Sequence, residues 1–315
     1  MNRRDLFAAL LCVSLATLAP ACATSAQGQQ ASSAQTYRIR VRRTVAVGDR
    51  FRVEGRGESR RRTEVTDSFR RRVGGEEEMS SAEFAGEATV RAVDDEGYVT
   101  GVAVVVRRAV ADNGERSWTF LEPGSTITID SSRGDVDPRV EQEGAAIDAS
   151  AMQFLSLAYD LRSLYGVRAS MFGPSGRRAI GERWPVPALS AVTVASGEAT
   201  ITLEDGTQQT VRLPTTTSTA SSAEATLVRL ANIDGVNCFE VRTTLRSEVP
   251  TDSGVRGSQT NEWTMFLPRA RRRRPLGMSV RNTVDAQSGG MIDGRPVRER
   301  MIAERTTTVR FAELR

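Results

Sequence analysis

The chain has 315 residues, 39% of them hydrophobic and 26% charged, which is enough for one large core or two ordinary ones and excludes a chain disordered throughout. Its 43 basic and 39 acidic residues leave a formal charge of +4, too weak a balance to argue for nucleic acid by itself. Histidine is absent, which removes the usual general base, the Ser-His-Asp and Cys-His arrangements and the commonest metal ligand.

The first 22 residues read as a bacterial-type signal peptide. Arg3 and Arg4 give a positive start, and Leu6 to Ala19 give an apolar stretch too short for a comfortable membrane span. The run Arg3-Arg4-Asp5-Leu6-Phe7 resembles a twin-arginine export signal. "LAPAC" resembles a lipoprotein box ending in Cys22, which would carry the lipid, with Ala19 and Pro20 departing from the usual pattern. "ACA" (21–23) or "TSA" (24–26) would instead serve ordinary signal peptidase. Residues 23–36 are rich in Ala, Ser and Gln and read as a flexible tether. The expected location is the periplasm or the outer-membrane surface, with membrane contact through a lipid anchor rather than a transmembrane span.

Past the tether the signal is mostly strand. "YRIRVRR" sets Tyr37, Ile39 and Val41 on one face and arginines on the other, and "RFRVEG" does the same with Phe51 and Val53. "GYVTGVAVVVRRAV" is apolar on both faces around Val102 to Val106, as a central strand requires. "STITID" places Ile127 and Ile129 together. Aspartate-glycine pairs at 205–206, 234–235 and 293–294 fit tight hairpin turns. One helix is predicted, with Ile147, Ala151, Phe154, Leu155, Ala158, Leu161 and Tyr165 in one stripe over five turns. Ser150 and Gln153 have capping-box spacing, and Gly166 is a natural stop. The stripe is expected to pack on the open face of a sheet.

The chain also repeats itself. "VGDRFRVEG" (47–55) returns as "IGERWPVPA" (180–188), with Gly48 and Gly181 133 positions apart. "GEATVRAVDDEGYVTGVAVVV" (86–106) returns as "AEATLVRLANIDGVNCFEVRT" (223–243). "SWTFLEP" (117–123) returns as "EWTMFLP" (262–268), matching Trp118 to Trp263, and "GSTITIDSSRGDVD" is echoed from Gly277. The order is kept and the offsets only grow, as duplication followed by insertion would leave them. The fold expected is mainly β, with two related antiparallel modules, 37–166 (ending in the helix) and 167–315. Such modules can share a curved sheet or form a half-open barrel. A lipid-spanning barrel is disfavoured, because the outward positions are repeatedly arginine and glutamate.

The export signal, "VGDRF", "IGERWPVP" and "ATLVRLANIDGVNCFEV" together resemble a domain-of-unknown-function family of exported bacterial envelope lipoproteins. That resemblance implies location and β-architecture without an activity. The sheet plus helix is similar at fold level to periplasmic lipoprotein carriers that hold acyl chains.

No motif points to catalysis, a cofactor or a metal. "FGPSG" (172–176) lacks G-x-S-x-G spacing and a histidine for Ser175, and reads as a linker. "DSSRGDVD" (130–137) lacks calcium-loop spacing. Cys238, in "VNCFEV", reads as a buried core residue. The leading reading is a non-enzymatic envelope protein that binds a lipid, another hydrophobic ligand or an envelope protein partner. Phe51, Val53, Trp184 and Val186 are the candidate ligand face, and core packing weighs more heavily for each. The second reading is a polyanion-binding surface that uses Arg60, Arg61 and Arg62, Arg70, Arg71 and Arg72, and Arg271, Arg272, Arg273 and Arg274. Aromatics at 5% are thin for stacking bases or sugars, which argues against nucleic acid. A carboxylate-based hydrolase is the third reading.

Overall fold

The computed structural model describes residues 35–40, 45–95, 99–130, 138–159, 172–173, 175–186, 192–193, 198–202, 208–212, 217–218, 222–249, 256–270, 276–292 and 295–314. The first strands are β1 (Thr36–Ile39), β2 (Arg50–Asp67), β3 (Arg72–Gly74), β4 (Glu77–Val93), β5 (Val99–Asp112), β6 (Ser117–Thr119), β7 (Thr126–Asp130), β8 (Arg139–Gln142) and β9 (Ala145–Ala146). The helix α1 (Ala149–Ala158) follows. Short strands come next: β10 (Gly176–Ala179), β11 (Arg183–Pro185), β12 (Val192–Thr193), β13 (Glu198–Thr202), β14 (Gln208–Arg212) and β15 (Thr217–Ser218). Long strands close the chain: β16 (Ser222–Ile233), β17 (Val236–Val249), β18 (Arg256–Pro268), β19 (Gly277–Ile292) and β20 (Arg295–Glu313).

Fourteen strands form one antiparallel sheet, in the order β11-β16-β17-β18-β19-β20-β2-β4-β5-β7-β8-β9, with β3 also on β2 and β6 also on β5. Its end strands β11 and β9 do not pair, so among the described residues the sheet is not closed into a barrel. The pairs β1-β10, β12-β15 and β13-β14 stand apart from it. The mainly β architecture with one intervening helix is therefore as the periodicity predicts. The two modules share a single sheet, because β20 of the second pairs along β2 of the first, from Phe51–Glu313 to Asp67–Val297.

Residues directly opposite in antiparallel strands share a face. Ala109, Phe84, Gly55, Val309, Met278, Met265, Val241 and Leu227 are opposite one another in turn, across β5, β4, β2, β20, β19, β18, β17 and β16. All are buried, so one dry row crosses eight strands of one face. The opposite face of β2 alternates Arg52, Glu54, Arg56, Glu58, Arg60 and Arg62, all exposed.

Helix α1 lies on the dry face against β4, β2 and β20. Its cap is Asp148, whose Oδ1 accepts from the Ala151 backbone N–H at 2.8 Å, so Ser150 falls inside the first turn rather than capping it. The helix ends at Ala158, shorter than the stripe predicts. Tyr159 turns extended (φ −133°, ψ 103°) and stacks its ring on Phe84, centroids 5.6 Å apart. Leu161, Tyr165 and Gly166 lie outside the described residues. Gly55 and Gly57 of β2 make room for the last turn of α1, since a Cβ at either would run into the Ala158 or Leu157 carbonyl. The Thr307 hydroxyl donates to the Leu157 carbonyl at 2.8 Å, and the Arg305 guanidinium donates to that of Ser156.

The duplication is visible in the hydrogen bonds. In the first module Asp49 N–H donates to the Ala46 carbonyl at 3.1 Å, and Gly48 (φ 89°) donates to Val90 O at 2.9 Å. In the second, Glu182 N–H donates to Ala179 O at 3.1 Å, and Gly181 (φ 81°) donates to Leu227 O at 2.7 Å. Both are turns of the type II form, which needs positive φ at the third position and so selects glycine. In each the fourth residue's carboxylate accepts from the first residue's N–H: Asp49 from Ala46 at 2.9 Å, Glu182 from Ala179 at 2.8 Å. The register agrees as well. Phe51 faces Ala88 as Trp184 faces Ala225, and Val90 faces Val102 as Leu227 faces Val241. Even the β-bulge recurs, between Val90 and Ala92 and between Leu227 and Arg229. The equivalence stops after three strands. Trp118 faces Ala111 in β5, whereas Trp263 faces Thr243, which corresponds to Val104. The Trp118–Trp263 echo therefore does not mark equivalent places.

Each module has its own apolar cluster on the dry face. Phe51 and Val53 join Phe84, Ile127, Ile129, Leu155 and Tyr159 in the first. Trp184 and Val186, their counterparts, join Ile39, Phe172, Leu227, Phe239 and Met265 in the second. β1 pairs with β10, from Thr36–Ala179 to Ile39–Gly176, and Ile39 carries it into the second cluster. Strand β16 turns into β17 through Asp234 (φ 49°) and Gly235 (φ 79°), a two-residue hairpin of the I′ form. Asp205-Gly206 and Asp293-Gly294 lie outside the described residues.

Candidate anion-binding cleft

The side chains expected to face a ligand are core. Phe51 is 3% exposed, Val53 0%, Trp184 5% and Val186 5%, and they divide between the two clusters. Full burial of each contributes about 1.5–3 kcal/mol, reason enough for an aromatic followed by valine in both modules. Trp184 shows the local logic. Its Nε1–H donates to the Phe172 carbonyl at 2.8 Å, and Arg178 lies over its ring, 4.7 Å from the centroid. Phe172 and Gly173 are thus packed against Trp184, and the segment read as a linker helps build the second core. Cys238 is fully buried, as expected.

Four of the six arginines in the runs on and after β2 are paired with acids. Arg60 meets Glu77 at 2.5 Å, Arg61 meets Glu78 at 2.8 Å, and Arg62 meets Glu64 at 2.5 Å. Arg71 meets Asp67 at 2.8 Å and lies over the Phe69 ring. Asp67 accepts from the Arg71 and Phe69 backbone N–H groups and from the Arg71 side chain, which holds its carboxyl below the ordinary range despite some opposing desolvation. Arg70 takes a left-handed backbone (φ 62°) in this turn, and Arg72 Nε donates to the Gly74 carbonyl. Exposed pairs of this kind add little stability but cancel the local field. Arg271, Arg272, Arg273, Arg274 and the lipidation candidate Cys22 lie outside the described residues.

A different set of arginines converges. Among the described residues, Gln35, Thr36, Tyr37, Arg38, Arg40, Arg177, Phe239 and Arg269 line a cleft of about 390 Å³, and this set holds four guanidinium groups and no acid. β1 supplies Thr36, Tyr37 and Arg38, and Arg38 faces Arg177 of β10. Of the adjacent arginines of β10, Arg177 lines the cleft, while Arg178 pairs with Glu182 at 2.9 Å. Arg177 Nε donates to Thr36 Oγ1 at 3.0 Å. Arg269 follows β18, its backbone N–H held by the Asn237 carbonyl at 2.9 Å and its guanidinium 5.9 Å from the centre of the Tyr37 ring. Tyr37 and Phe239 are 5.7 Å apart and give the cleft an aromatic side. Like charges in a partly enclosed cleft focus a field on a counter-ion, and guanidinium forks match phosphate and carboxylate oxygens. Only the alternation of "YRIRVRR" hinted at this site, because the sequence does not show that β1 meets β10.

A second polar feature sits deeper on the same face of β17, β18 and β19. Thr243, Ser247, Gln259 and Asn261 are at most 5% exposed. Asn282 Nδ2 donates to Asn261 Oδ1 at 2.6 Å, and Gln259 Nε2 to the same oxygen at 3.4 Å. Thr243 Oγ1, Ser247 Oγ, Gln259 Oε1 and Asn261 Nδ2 have no hydrogen-bond partner among the described residues. A carboxylate-based hydrolase needs two acids facing one cleft. Glu299 has its carboxyl pushed up by burial, against a smaller opposing effect of Ser288, and its hydrogen-bond partner is that hydroxyl rather than a second acid. Among the described residues no three acidic or cysteine side chains gather as metal ligands, and no helix is long and apolar enough to cross a membrane.

No family model matches the chain, and no curated protein matches it. Among solved structures it is similar to the TodX monoaromatic hydrocarbon channel deltaS2 mutant, at 10% identity over 86% of this chain and 91% of that one, with a TM-score of 0.21. It is also similar to the P. putida toluene transporter TodX, at 9% identity, the same coverages and a TM-score of 0.17. Backbones related this loosely carry no argument about function.

Proposed function

We propose that this is a non-enzymatic, exported envelope protein that captures the anionic group of an amphiphilic ligand in the arginine cleft. The observation that carries the reading is the lining itself: Arg38, Arg177 and Arg269, with no acid among the described lining residues, beside Tyr37 and Phe239. The export signal supports the location, and the absence of histidine supports a binding role over catalysis. The reading keeps the apolar-ligand and polyanion expectations together but moves both to residues that neither named. The test is calorimetric titration with dodecyl phosphate below its micellar concentration, against dodecyl maltoside as the neutral control. The phosphate should bind, more weakly as salt rises, and Arg38→Ala with Arg269→Ala should reduce affinity about tenfold or more. Equal binding of the neutral detergent, or an unchanged affinity in the double variant, would overturn the reading.

A further inference from the structure

Among the described residues five large hydrophobic side chains are exposed: Val47, Phe69, Met79, Ile180 and Leu230. Two of them adjoin cleft-lining residues in the strand register. Leu230, 38% exposed, sits directly opposite Phe239, so it shares a face with the cleft's aromatic side. Ile180, 49% exposed, follows Ala179, which is opposite the lining residue Thr36. Ile180 occupies the second position of the duplicated turn, where a side chain stands clear of the sheet. Two exposed aliphatic side chains thus neighbour, in the register, residues that line the cationic cleft.

Such a patch complements one kind of partner. An acidic peptide or free anion would satisfy the arginines and leave Leu230 and Ile180 in water. A surface of anionic phospholipid satisfies both, with phosphate at the guanidinium groups and the aliphatic side chains at the boundary between headgroups and acyl chains. We infer that the protein docks on an anionic lipid surface through this patch. A headgroup phosphate enters the cleft, and Leu230 and Ile180 reach into the bilayer boundary beside it. The inference rests on the anion-binding reading above and names the form in which the anion is met. The duplication supplies a control. Val47, 60% exposed, is Ile180's counterpart in the first module's turn, and its turn bonds to Val90 rather than to a strand that supplies the cleft.

The experiment is co-sedimentation with vesicles of phosphatidylglycerol and phosphatidylcholine in equal parts, or of phosphatidylcholine alone. The parent protein, the double variant Leu230→Ser with Ile180→Ser, Val47→Ser, and Arg38→Ala with Arg269→Ala are compared, with melting curves to confirm folding. The parent should bind only the anionic vesicles. The Leu230/Ile180 variant should lose about tenfold in vesicle affinity while binding monomeric dodecyl phosphate as before, since each half-exposed side chain loses part of its transfer energy. Val47→Ser should change neither. If the parent binds dodecyl phosphate but not anionic vesicles, the docking inference fails and the anion-binding reading stands; if it binds neither, both fail. Vesicle binding that is indifferent to Leu230 and Ile180 overturns the inference. So does self-association, by light scattering, that the same double variant abolishes, because the patch would then belong to a second copy of the chain.

Discussion

Replacing Gly57 by alanine tests how α1 is seated. Gly57 lies in the middle of β2, under the helix's last turn. A Cβ there would be 1.9 Å from the Leu157 carbonyl oxygen and 2.5 Å from its carbon. Ordinary contact begins near 3.4 Å, so the gap falls short by about 1.5 Å. The obstacle is backbone, and no rotamer change relieves it. The helix must lift, and the 2.8 Å bond from Thr307 to Leu157 must stretch with it. Overpacking costs about 1–3 kcal/mol, and a weakened buried hydrogen bond adds about 1. Alanine returns about 0.5–1 kcal/mol, because it suits a strand better than glycine and restricts the unfolded chain. The net loss should be about 1–3.5 kcal/mol, or about 2–14 °C in melting temperature for a chain of this size. Urea unfolding followed by tryptophan fluorescence reads it. Gly289→Ala is the control, since a Cβ there has nothing within 4 Å, and it should equal the parent or gain up to about 1 kcal/mol. If the two variants unfold together, the close approach of α1 to β2 does not exist in solution.

Gly48→Ala and Gly181→Ala should each cost about 1–2 kcal/mol from positive φ alone, because neither added Cβ has a neighbour within 4 Å. Matching losses in thermal melts are expected from matching turns, and one neutral substitution would break the equivalence. Thr243→Val should stabilise by about 1 kcal/mol, because it replaces a buried unpartnered hydroxyl with a methyl of the same shape; a lower melting temperature would show that the hydroxyl has a partner. Glu299 is the pH probe. Burial raises its carboxyl, so the folded protein holds that proton more tightly than the unfolded chain. Its contribution to stability therefore falls as pH climbs from the ordinary glutamate value through the raised one. Glu299→Gln should gain on the parent at about pH 7.5 and lose that gain at about pH 3.5, as read from urea midpoints. A difference that does not vary with pH would remove the burial argument.

The sequence by itself determined the local geometry. Two-residue alternation determined the strands and their dry residues, from Phe51 and Val53 to Ile127 and Ile129, because side-chain direction along a strand depends only on parity. Glycine determined the two type II turns and the Asp234-Gly235 hairpin, because positive φ is a single-residue cost. The repeated words at Gly48 and Gly181 disclosed a duplication that the hydrogen bonds carry through three strands. What the tertiary structure alone decided is pairing over distance. It joined the modules through β2 and β20, set Trp118 and Trp263 in unrelated places, and opposed Arg60 and Arg61 to Glu77 and Glu78. It ended α1 where Tyr159 finds Phe84, although the apolar stripe continues to Tyr165 in the sequence. It also brought Arg38 to Arg177 by laying β1 on β10, and so made a cleft from arginines that no single stretch of sequence brings together. Strand edges are chemically alike, each offering the same N–H and C=O groups. Which edges meet is settled by how the whole chain buries its apolar faces, and no local segment records that.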